Sequence, residues 1–283
     1  MSNAFMADDP NWSLGELYEA IERQQELVQL VLYLLSEGPA EFFGVRLESS
    51  FECDKARAIA ATAMGAGQTT NTIAKLSHES GIVVRDMYPL ARSVVESYVN
   101  AAFFATHPLE VSQRAIRHKD YAAWKHSNRV VGSGDFMIAV GSHENIKPFL
   151  DQEFPEFSGK GNGSWTSLNV PSRIRLVGEN VQAAGGALMG AYGGIYAISS
   201  EIIHGSVFGT AYFYSVGTQN IRNEKGFKRG VLQQRIDILS AVAHAGSGFL
   251  AAYAETEKMG PLVLAEHEIF KRIFRASTGD DWD

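Results

Sequence analysis

From about residue 13 onward, apolar side chains recur every third or fourth position through most of the chain, the period of a helix with one buried face. Ser13 followed by Glu16 reads as a capping box, opening a helix to about Ser36 with Leu17, Ile21, Val28, Val31 and Leu35 on its stripe. Gly38 and Pro39 stop it. Asp54 to about Leu76 predicts an Ala-rich second helix, open to a break at Gly65 and Gly67. Val84 to Thr106 predicts an interior helix, apolar around much of its circumference. Pro89 inside it marks a kink or a start nearer Tyr88, and Pro108 lies beyond its end. Helical patterns follow over Pro108–Val131, Ser172–Gln182, Gly190–Ile203, Phe208–Val216, Gly230–Lys258 and Leu262–Arg275, with a polar loop from Gly217 to Lys228.

Between Gly132 and Pro171 the period breaks into Gly, Ser, Asn, Pro and isolated aromatics, with short helical turns expected only near His143 to Leu150. A stretch this long and irregular suits a lid or a partner surface. No segment shows the period-2 alternation of a sheet domain, no glycine pattern matches a phosphate loop, and no repeat is evident. The expected fold class is all-α: a helical bundle with a long irregular insertion. Its single domain is expected over 13–275, between a flexible arm at 1–12 and a flexible tail at 276–283.

Composition changes little in that picture. Of 283 residues, 45% are apolar and 20% charged, as in ordinary globular chains. The net charge of −7 offers no global attraction for nucleic acid or anionic membrane. Local basic runs, Arg114 to Arg129 and Arg222 to Arg229, read first as solvated helix faces. Val181 to Ser200 is uncharged and about as long as a bilayer span. It is built of Gly and Ala, with Glu201 and His204 just beyond, so a tightly packed internal helix is the better reading and no membrane partner is expected. Cys53 is the only cysteine, which excludes an intrachain disulfide. The first residues lack the basic-then-apolar pattern of a secretory signal, and a cytoplasmic location is expected. The Gly/Ala-rich stretch Ala183 to Gly194 and the long helix 230–258 point to a homodimer.

Two polar ladders carry the candidate chemistry. Arg92, Glu96 and Asn100 are spaced by four, with Tyr88 one turn earlier, so they stack along one side of a helix. Tyr196, Ser200 and His204 repeat that spacing, with Tyr192 one turn earlier. The two lines are expected to face one another, with His204 joining Arg92 and Glu96 and Tyr121 closing the group. Such a network serves either a ligand or catalytic pocket or the register of the bundle. Glu201 and His204 sit at i, i+3, but the further carboxylates of a bundle metal site have no matching spacing, so neither metal nor cofactor is expected.

The segment Val84 to Asn100 resembles the Arg-x-x-x-Glu helix of a bacterial family of unknown function, DUF5677. Tyr192 to Ser206, with Tyr196, Ser200 and the His204-Gly205 ending, is similar to that family's second motif. Tyr121 falls where the family tends to place a tyrosine between the two. The likeness spans roughly residues 75–220 and implies an all-helical domain, with no established activity. It also implies a distant similarity to helical nucleotide-binding and ribonuclease domains of toxin and phage-defence systems. Those nucleases use an Arg and a His separated by four to six residues on one helix. Here His204 has no Arg close upstream, and Arg114 and His118 have only three residues between them.

Two functional classes follow. One is a helical binding or regulatory module, a candidate defence-system component, whose loop 132–171 contacts a protein, nucleotide or RNA partner. The other is a phosphodiester-cleaving enzyme acting on RNA or a nucleotide. In it His204 is the acid/base, Arg92 binds the phosphate, and Glu96, Asn100, Tyr121, Tyr196 and Ser200 support them. The acidic charge and the missing Arg–His spacing favour the module.

Overall fold

A computed structural model describes residues 9–79, 83–141, 146–159, 163–215 and 224–282, and among these ten α-helices and two β-hairpins follow one another. Helix α1 (Pro10–Ser36) begins before Ser13. The Asp9 carboxylate accepts from the Asn11 N–H at 2.9 Å, and Pro10 fills a first-turn position that needs no donor. Ser13 is therefore a buried residue of the helix and not its cap, and Pro10 to Trp12 belong to α1 and not to a loose arm. Residues 1–8 lie outside the described ones.

Strands β1 (Ala40–Phe42) and β2 (Val45–Leu47) form a hairpin that helical periodicity did not announce. Its turn, Phe43-Gly44, has φ of 48° and 74°, the pair of positive values a two-residue type I′ turn requires. Helix α2 (Cys53–Leu76) runs unbroken through Gly65 and Gly67. Gly67 lets it approach α1, since a Cβ there would lie 3.0 Å from the Gln25 side-chain oxygen. Helix α3 (Val84–Thr106) takes Pro89 inside its first turns.

Helix α4 (Leu109–Ser127) stops short of Val131, because Arg129–Ser133 forms β3 and pairs with β4 (Phe136–Val140). The rest of the expected insertion contains α5 (Lys147–Glu153) and a single 3₁₀ turn, Pro155–Phe157; His143 lies outside the described residues. Then come α6 (Val170–Asn180), α7 (Gln182–Ile203), α8 (Val207–Ser215), α9 (Glu224–Thr256) and α10 (Gly260–Thr278). Of the expected polar loop, 217–223 lie outside the described residues, as does residue 216, and α9 already begins at Glu224. Ala276 to Thr278 extend α10 into the expected tail, and Gly279, at φ 84°, closes it by donating to the Arg275 carbonyl.

The fold is an all-α bundle organised around α9, which packs against α1, α3, α7 and α10. Gly226–Thr256 is apolar and long enough to cross a bilayer, yet 83% of its most apolar window is buried inside the bundle. Tyr98 of α3 stacks on Phe249 of α9 with ring centroids 5.5 Å apart, both rings fully buried. A buried ring of this size contributes about 2–3 kcal/mol. Gln24 of α1 donates to the Ala243 carbonyl at 2.9 Å and to Ser247 Oγ at 3.1 Å, fixing α1 against α9. Arg272 of α10 clamps α1 through Glu16 and Glu19, both at 2.8 Å.

A second, smaller core holds Tyr121, Leu150, Phe154 and Phe157. Arg114 and Arg117 secure it: Arg114 donates to the Trp165 carbonyl at 2.9 Å, and Arg117 pairs with Glu156 at 3.2 Å. His118 lies 3.2 Å from the Gly163 carbonyl. These three residues of the basic run on α4 are engaged in holding Glu153, Glu156, Gly163 and Trp165.

Candidate functional site

Asn180, just ahead of α7, donates to the Thr106 carbonyl at the end of α3 at 3.4 Å, while Arg92 earlier in α3 meets Tyr196 later in α7, so the two helices run antiparallel and that sets which ladder residues meet. Arg92 Nε donates to Glu96 Oε1 at 2.8 Å, and its guanidinium lies 4.3 Å from the centre of the Tyr196 ring. Tyr192 stacks on Tyr196 with centroids 4.5 Å apart. Burial raises the Tyr192 hydroxyl pKa, with Tyr196 adding to it. Val95 and Ile195 complete the walls of a cleft too narrow to seat a water molecule. Its ion pair keeps 21% and 35% of its two side chains exposed, so the charges are neither dry nor stranded.

Arg173 of α6 belongs here although no spacing in the sequence marks it. Burial lowers its pKa, and the Glu96 charge opposes that shift. Its guanidinium lies 5.3 Å from the Trp165 ring and donates to the Leu168 carbonyl at 3.3 Å.

The other ladder residues stand apart. Asn100 keeps a buried side-chain oxygen without a partner among the described residues. Tyr88 packs edge-on against Tyr212, and Tyr121 sits in the second core on α4. Ser200 is half-buried on α7. His204 caps the C-terminal end of α7 with its ring exposed, two helical turns or about 12 Å of axial rise beyond Tyr196. Because α7 runs against α3, that rise carries His204 towards the start of α3 and away from the Arg92–Glu96 pair. The expected three-residue cluster is thus a pair with an aromatic lid, and the histidine is not part of it.

A larger site opens on another side of α7. Helices α7, α9 and α10 line a solvent-open cavity of about 620 Å³, which shares Gly190, His244 and Phe274 with a second of about 360 Å³. Glu266 of α10 faces it while only 7% exposed, with Oε1 buried and unpartnered among the described residues. Burial pushes its pKa up to about 7; the Ser247 hydroxyl acts to lower it and Glu255 to raise it further. His244 of α9 donates from Nδ1 to the Ser240 carbonyl at 2.7 Å, which leaves Nε2 as an acceptor. Burial lowers its pKa, favouring the neutral ring. Phe270, Phe274 and Trp282 form an aromatic wall, with Trp282 centroids 5.2 and 4.9 Å from the two phenyl rings. Glu266 and His244 lie on helices with no ladder spacing, and only the tertiary fold brings them to one cavity.

An all-α bundle with an Arg-x-x-x-Glu helix packed on a tyrosine-bearing helix is the class these elements define. The chain belongs to the family of unknown function DUF5677, which it matches over residues 58–222, from within α2 to just beyond α8. No curated protein and no solved structure matched the chain. The α7 floor of the cavity lies inside the family segment, whereas its α9 and α10 walls lie outside it.

Proposed function

We propose that this protein is a binding module that acts as a homodimer, joined through the β3–β4 hairpin. The observation that carries this reading is the exposure of the whole hairpin: every residue of both strands is exposed, including Phe136 at 88% and Ile138 at 70%. Val130, Val131, Met137 and Val140 are exposed with them. Four of them, Val131, Phe136, Ile138 and Val140, share one face of the hairpin and present roughly 400 Å² of apolar surface, the size at which a patch marks an interaction site.

A second copy fits better than an unrelated partner. The β4 edge, Phe136 to Val140, carries no charge and no proline, the devices that protect edges from pairing with their own kind. Two identical edges related by a two-fold axis pair antiparallel, which sets the two apolar faces side by side as one continuous surface. The separation of His204 from Arg92 weighs against the phosphodiester reading, which needs acid/base and phosphate ligand on one reacting group.

Light scattering on the eluting protein at tens of micromolar tests this. The expected mass is that of a dimer, and the double substitution Phe136→Asp, Ile138→Asp is expected to give monomers with unchanged far-UV circular dichroism. A wild-type monomer at that concentration, or a dimer that survives the double substitution, sinks the reading.

A further inference from the structure

The cavity between α7, α9 and α10 plays no part in the dimer reading, and its shape and chemistry point to a ligand. Its main volume, about 620 Å³, lies within the range of small-molecule sites. The floor is made of glycines that no internal packing requires. A Cβ built at Gly186 or Gly190 meets nothing within 4 Å, whereas one at neighbouring Gly185 would lie 2.4 Å from the Gly178 backbone. Glycine inside a helix costs about 0.5–1 kcal/mol relative to alanine. Gly185 is required by the contact with α6, whereas Gly186 and Gly190 leave the floor of the cavity open.

The polar groups define what fills that space. Among the described residues no Lys or Arg lines the cavity, so an anionic ligand would meet Glu266 there without a compensating charge. A purely apolar ligand would leave the Glu266 oxygen as it stands in the free protein, without a partner among the described residues, whereas a ligand with a hydrogen-bonding edge can satisfy it. Burial raises the Glu266 carboxyl pKa to about 7, which brings its protonated form within reach near neutral pH. A protonated carboxyl offers an O–H donor beside a carbonyl acceptor. Its complement is a ring nitrogen beside an exocyclic amino group. The His244 Nε2 acceptor asks for a further N–H. The ring faces and edges of Phe270, Phe274 and Trp282 suit a flat partner.

We propose that this cavity binds an uncharged, flat amino-substituted nitrogen heterocycle, such as a free aminopurine base. Its amino-heterocycle edge sits on Glu266, a second N–H on His244 Nε2, and its ring against the aromatic wall.

Isothermal titration of the full chain with adenine, purine and adenosine monophosphate tests the proposal. Adenine is expected to bind saturably, purine about tenfold more weakly because it lacks the amino donor, and the phosphate-bearing nucleotide more weakly still. Gly186→Leu projects a side chain into the cavity from a position with room for it, and is expected to abolish adenine binding while leaving circular dichroism unchanged. Glu266→Gln, whose amide also sets a donor beside an acceptor, is expected to bind, whereas Glu266→Leu is not. Absence of saturable adenine binding up to millimolar concentration overturns the proposal. So does equal binding of purine and adenine, or wild-type affinity in Gly186→Leu.

Discussion

On the side of α7 that faces α6, Gly185 sits against Gly178 so closely that a Cβ would strike the opposing backbone at 2.4 Å. One residue further, Gly186 looks into a cavity and touches nothing. The polar groups on the two sides differ in the same sense. Beside α3 and α6, the Arg92–Glu96 pair is satisfied, partly solvated and covered by Tyr196. Beside α9 and α10, Glu266 is buried with an oxygen unpartnered among the described residues. Close packing around a satisfied ion pair is what a structural joint needs, even though Asn100 Oδ1 and Arg173 Nε on this side have no partner among the described residues. Space lined by an unsatisfied polar atom destabilises the isolated protein, and a ligand can recover that loss.

The contrast can be broken in order of effect. Gly185→Leu is expected to cost about 3 kcal/mol in urea denaturation, since backbone and not a flexible side chain opposes it. A loss below 1 kcal/mol would mean that α6 and α7 can slide apart freely.

Glu266 gives the next effect, through pH. Its folded pKa, about 7, lies above its ordinary value of 4.5, so the folded state holds the proton more tightly than the unfolded chain. Its contribution to stability is full below about pH 4.5 and is lost as pH rises through about 7. The loss amounts to about 3 kcal/mol. Glu266→Gln is expected to remove that decline and to be more stable than wild type at pH 8, in thermal or urea melts. Glu255, which raises the Glu266 pKa, and the cavity histidines His244 and His267 remain in place in both proteins. Parallel pH profiles for the two would show that Glu266 titrates normally.

Arg92→Ala is the smallest of the three. A half-solvated pair with one cation–π contact predicts a loss of about 1 kcal/mol, measured by denaturation. A loss of 3 kcal/mol or more would show the pair to be as dry as the apolar sequence around it suggests.

The helices were legible because their signals are local. Val84 to Thr106 and Asp54 to Leu76 lie within a residue of their observed bounds, read from periodicity and flanking breakers. The start of α1 was misread because Ser13 and Glu16 match a capping box, while Asp9 and Pro10 upstream supply the real cap. The β3–β4 hairpin escaped notice because its apolar residues point to solvent on both faces, so they show none of the alternation of a half-buried sheet. Within the polar ladders, i, i+4 spacing placed Arg92 beside Glu96 and Tyr192 beside Tyr196, because those contacts are intrahelical. It gave no register between helices, which is why His204 was drawn to a pair it does not touch. Arg173, His244 and Glu266 had no local pattern at all; they meet their partners only once α6, α9 and α10 are packed.

The bond from Gln24 to the Ala243 carbonyl spans 219 residues, and the Arg272 clamp on Glu16 spans 256. During synthesis, the face of α1 that these contacts cover emerges long before anything exists to cover it. At about 5–20 residues per second, the wait for α9 is roughly 10–40 s. Over that interval Leu17, Val28 and Val31, all buried in the finished bundle, ride on an incomplete chain. Helix α2 can cover part of α1 early, but the face turned to α9 and α10 waits until those helices have been made.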